Sequence, residues 1–287
     1  MTTDETEESI HMERITTNGL TLYFDPEERE AAEMIHTACQ HSIQTITNSW
    51  GLEIPEDCRV YVLTTWPRCV FQGAPLQTQI LLGLTMPLWY AEFKKRWQYA
   101  GGWAQQYGDR QVVGIKAPRL IEHTPQTMGT SIFIPEENLE QKVLSIVCHE
   151  LTHAFSSHLA LPTWMHEGLA IVSVDRCFGN PSVLPDTLQM LQDSNQSERA
   201  TDKINLNAQS REEIILLYVR GYWLTRYLAE TQPELLKNLL TQRYSHQTME
   251  AKIASGMGIK SEDFWKQIDD RVVAYFEHEL LEMTPVG

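Results

Sequence analysis

The run His149-Glu150-Leu151-Thr152-His153 sets two imidazoles four positions apart with a carboxylate beside the first. On a helix that spacing sends both rings out of one side, offset by about 6 Å along the axis, a span one zinc ion can bridge. Glu150 lies about 100° round from His149 and borders the same face. A carboxylate there can take a proton from metal-activated water without being a ligand. At the chain's His and Glu frequencies the pattern arises by chance about 0.03 times, so its surroundings carry weight. Fourteen residues past His153 stands Glu167, within Trp164-Met165-His166-Glu167-Gly168-Leu169-Ala170. Two His from one helix and a carboxylate from the next would make a three-ligand set with a fourth position open to water.

Those side chains require two helices. Leu144, Val147, Leu151 and Phe155 recur at spacings of three and four, one apolar stripe for a core, and the helix is expected over about residues 138–159, after Pro135, Glu136 and Glu137. Pro162 blocks further helix, and Thr163 is the expected cap of the next. Cys148 points about 100° away from His149 and reads as a small core residue. His158, about 140° round from His153, should face away from a metal. His166 reads as a surface histidine.

Before these helices, residues 14–25 read as a hairpin or long strand turning at Asn18-Gly19. Pro26 opens a helix, with Glu27, Glu28 and Glu30 where its dipole favours acids, running to Gly51. Residues 58–64 and 111–116 are β-rich; 119–122 are expected to pair with the latter, and 131–134 to form another short strand. Residues 66–108 hold many aromatics. Within them 77–99 is one helix interrupted near Pro87, or two; the aromatics either pack on the catalytic half or form a lid or substrate wall. Lys94, Lys95 and Arg96 read as a solvated helix face. Beyond residue 179 a polar connection with a short helix near 186–193 leads to helices over about 211–230, 233–244, 248–255 and 261–281. The fold class is therefore α+β. An acidic disordered tail (1–12) precedes an N-terminal α/β subdomain (13–134) built on a small mixed sheet, with a helical insertion at about 66–108. A mainly helical catalytic subdomain (135–287) follows.

With 287 residues, 42% hydrophobic and 21% charged, the chain has ample core for an enzyme. A net charge of −15 argues against nucleic acid as a partner. The polar, acidic start does not look like an export signal, and no apolar run is long enough to span a bilayer. Five cysteines without a C-x-x-C pair read as reduced thiols, which points to the cytoplasm. Oligomeric state is not legible.

Taken together, H-E-L-T-H, L-P-T-W-M-H-E-G-L-A, Leu217-Tyr218-Val219-Arg220-Gly221-Tyr222 and the run Met257 to Trp265 resemble the gluzincin-type zinc metallopeptidases, closest to the small peptidase MA-like families. The likeness covers roughly residues 110–280. It implies Zn²⁺ held by His149, His153 and Glu167, with Glu150 as general base. It further implies a tyrosine that steadies the oxyanion: Tyr218 matches best, Tyr222 is the substitute, and a plain core aromatic is as good a reading of Tyr218. The families' sheet has an edge strand that holds extended substrate, by position around Val113 with Gly114, Ile115 and Lys116. Ile171 stands where the thermolysin pattern has an aspartate, so the groups orienting the ligands stay unassigned. The implied activity is hydrolysis of a peptide or protein substrate. The alternative is a catalytically silent metal-binding domain that serves protein interaction or regulation.

Overall fold

The computed structural model describes residues 12–122, 131–193 and 211–283. The fold is α+β, a five-stranded mixed sheet followed by mostly helical chain. Strands β1 (Glu13–Thr17) and β2 (Leu20–Phe24) form the hairpin expected from Asn18-Gly19. Both turn residues have positive φ, 46° and 84°, the backbone a two-residue hairpin loop requires. A 3-10 turn at Pro26–Glu28 leads into helix α1 (Arg29–Trp50). Strand β3 (Asp57–Leu63) then lies parallel to β2.

Helices α2 (Trp66–Phe71) and α3 (Leu76–Trp97) follow, and α3 is a single helix with Pro87 inside it. Strands β4 (Gly102–Tyr107) and β5 (Arg110–Lys116) form a second hairpin, and the sheet order is β1-β2-β3-β5-β4. Helix α4 (Pro118–Glu122) replaces the strand expected at 119–122. Pro118 suits a first helical position, and Arg119 is drawn out of the sheet by Glu28, whose Oε1 accepts its Nε at 3.0 Å. Residues 131–134 form no strand: Phe133 makes only an isolated antiparallel bridge to Val183.

The remaining helices are α5 (Leu139–Ser156), α6 (Thr163–Phe178), α7 (Thr187–Asp193), α8 (Arg211–Thr231), α9 (Pro233–Leu239), α10 (His246–Gly256) and α11 (Phe264–Met283). α9 is shorter than expected, ending before Leu240. The acidic tail of residues 1–11 lies outside the described residues. Among the described residues, no helix is long and apolar enough to cross a membrane.

By internal contacts the chain divides into two units, Met1–Asn48 with Glu53–Thr127 and Glu136–Phe155, and Ser49–Leu52 with Met128–Pro135 and Ser156–Gly287. The division departs from the expected boundary at 134/135, because α5 clusters with the sheet rather than with the later helices. In the first unit β3 and β5 are central strands, and Val60, Val62, Leu63, Val112, Val113 and Ile115 are shut from solvent, as strands covered on both faces must be. In the second unit α6 and α8 touch backbone to backbone. A Cβ on Gly168 would strike the Gly221 carbonyl, and one on Gly221 the Trp164 carbonyl. Helix α11 is tied to this pair by a bidentate Arg220–Asp269 ion pair (2.7 and 3.2 Å) and by Trp265, edge-on to Trp164 at 5.9 Å.

Candidate metal centre

Helix α5 begins at a side-chain cap. Asn138 Oδ1 accepts the Gln141 amide at 2.9 Å, and Gln141 Oε1 accepts the Glu137 amide at 2.9 Å. This reciprocal pairing closes the first turn, and Asn138-x-x-Gln141 was its readable signal. Val143, Val147, Leu151, Ala154 and Phe155 are buried, which fixes the helix's rotation and turns His149 and His153 out of the core. Their Nε2 atoms are 3.0 Å apart and their ring planes stand at 89°. After Ser156 the helix tightens to 3-10 over Ser157–Leu159, and Pro162 rather than Thr163 is the residue before α6. The Pro162 carbonyl accepts the amides of Met165 and His166, both at 2.9 Å, and Glu167 follows directly.

One donor atom from each of His149, His153 and Glu167 lies within 4.8 Å of the others, and all three residues are half-buried. The donors are two imidazole nitrogens and a carboxylate oxygen, a set that suits zinc and several other first-row cations. Two nitrogens on one tetrahedral zinc sit about 3.3 Å apart. The observed 3.0 Å therefore fits an ion with little movement of either ring.

Glu150 lies against the sheet. A Cβ added to Gly102, the first residue of β4, would come within 2.8 Å of Glu150 Cγ and 3.0 Å of the Gly114 carbonyl. Only a residue without a side chain lets the strand pass that close. Gly102 was not singled out in the sequence. Its signal was the Gly108-Asp109 turn between two β-rich runs, which marks a hairpin and hence a strand ahead of β5.

That hairpin corrects the placement of Gly114, Ile115 and Lys116. They belong to β5, which pairs with β3 on one side and β4 on the other, so the strand has no backbone left for a peptide. Ile115 and Lys116 are buried. The Lys116 ammonium donates to the Trp97 carbonyl and lies 4.5 Å from that ring, and burial pushes its pKa down to about 8. The strands at the sheet's margins are β1 and β4, and β4 is the one that starts beside Glu150.

Tyr222 is also accounted for. Its ring is fully buried and its hydroxyl donates to Asp175 Oδ2 at 2.8 Å. Burial, with the Asp175 carboxylate beside it, pushes the phenol well up. Asp175 Oδ1 in turn accepts the Ser182 amide (2.7 Å) and hydroxyl (2.6 Å). Tyr222 thus anchors α8 to α6 and does not serve as the substitute oxyanion donor. Tyr218, one turn earlier, is half-buried. No family model matches the chain, and no curated protein matches it.

Proposed function

We propose that the chain is a zinc-dependent peptidase of gluzincin type, and the observation that carries this is the convergence of His149, His153 and Glu167 donor atoms within 4.8 Å. A zinc ion held there supplies a Lewis acid for a carbonyl and makes water more acidic. Glu150 accepts the proton of the attacking water and returns it to the leaving amine. Tyr218, half-buried and one turn before Tyr222 on α8, donates to the oxygen that gains charge. Substrate binds extended along β4, a marginal strand that starts at Gly102 beside Glu150. All five cysteines are buried thiols, which supports a cytoplasmic setting.

Metal analysis and a peptide-library cleavage profile test the reading together. The purified chain should carry one zinc, and Glu150→Gln should retain it while cleavage falls by about 10²–10⁴-fold. A zinc-loaded chain that cuts no peptide would overturn the peptidase and leave a metal-binding interaction module.

A further inference from the structure

We infer that helix α3 docks on a lipid surface carrying anionic headgroups. One side of α3 is held by the protein. Trp89 meets Phe71, Trp66 meets Tyr90 and Phe93, and Phe93 and Trp97 lie against the buried cluster of Tyr61, Leu63, Cys69 and Val112. The other side is apolar and in solvent: Leu76, Ile80, Leu81, Leu84 and Leu88 are all exposed, the last two 77% and 87%. Their positions span about 140° of the helix circumference, a continuous stripe rather than scattered leucines. From Cys69 to Ala91 the sequence holds no charged residue; Glu92 follows, and then Lys94, Lys95 and Arg96, which leave this end of the helix with an excess of positive charge. Lys94 and Lys95 are exposed, just past the end of the stripe.

This charge pattern separates the possible occupants. Two copies pairing antiparallel through Leu84 would bring each Lys94-Lys95 opposite Gly73-Ala74 of the other copy, where no acid waits; pairing in parallel would set lysine against lysine. A bilayer surface meets both needs, with acyl chains for the leucines and phosphate or serine headgroups for the lysines. Tyr90 and Tyr99, both exposed, add the amphipathic rings that favour the headgroup level. The net charge of −15 does not forbid this, since at physiological salt the field fades over about 8 Å and only charges close to the contact are felt.

Flotation of the full chain with phosphatidylcholine vesicles, with and without phosphatidylserine, tests the inference. The wild type should float, and phosphatidylserine should strengthen binding by about fivefold for each lysine. Lys94→Glu with Lys95→Glu should abolish that gain, and Leu84→Glu with Leu88→Glu should abolish flotation altogether. Both leucines are too exposed for their loss to unfold the chain, which circular dichroism would verify. A wild type that stays with the soluble fraction on every vesicle overturns the inference. So does a leucine variant that floats as well as wild type, or a wild-type dimer that the leucine substitutions make monomeric.

Discussion

Helices α3 and α6 are both rich in apolar residues, and they end in opposite surroundings. α6 carries Glu167 and buries ten of its sixteen residues. α3 is longer, at 22 residues, yet none of its described side chains is fully buried and its leucines stand in solvent. The difference lies in what each helix finds to pack on. α6 meets α8 at a pair of glycines that let the two backbones touch, whereas α3 has protein on one side alone. An apolar stripe states that a helix has something to hide; whether the same chain hides it depends on a partner elsewhere in the fold.

The contrast can be broken or sharpened by substitution. Gly221→Ala should have the largest effect. Alanine gains about 1 kcal/mol of helix propensity, but its Cβ meets the Trp164 carbonyl, which is backbone and cannot swing aside. A net loss of roughly 2 kcal/mol or more in denaturant unfolding is expected, with weaker retention of the metal proposed for the site as α6 shifts. A neutral result would mean that the α6–α8 contact is slack.

Lys116 comes next, on the sheet beside α3's C-terminal end. Its folded pKa, about 8, lies below the unfolded lysine value. The unfolded chain therefore binds the extra proton between these values, and stability should rise with pH from about 8 to about 10.4, by at most about 3 kcal/mol. Lys116→Met should lose that slope when unfolding is followed across the window. An unchanged slope would mean that the ammonium is better solvated than its burial implies.

The smallest effect is expected in α3. Leu88→Gln should alter stability by no more than about 0.5 kcal/mol, as at other exposed positions. A melting temperature that drops several degrees would reveal that Leu88 has a partner in solution.

Much of the site was legible because its signals are local. The four-residue spacing of His149 and His153 and the apolar stripe behind them fix two rings on one helix face. Glu167 in Trp-Met-His-Glu-Gly was readable from its short distance along the chain. The hairpin at Asn18-Gly19 and the single α8 helix were equally local. Strand β4 was missed because its brief run fell inside the helical insertion expected at 66–108; the error then moved the sheet's margin one strand too far, onto β5. Tyr218 and Tyr222 could not be separated, because they stand one turn apart on the same helix and only the partner across the gap distinguishes them.

The sequence by itself determined the long helices, the facing imidazoles, the carboxylate that follows and the acidic balance of the chain, all but the last set by residues within a few turns of one another. The tertiary structure alone decided which strand lies at the margin of the sheet, that Tyr222 is taken by Asp175, and that Gly102 lets β4 reach Glu150. Strand neighbours and buried hydrogen bonds join residues tens of positions apart, and no local periodicity encodes which of several compatible partners a group will meet.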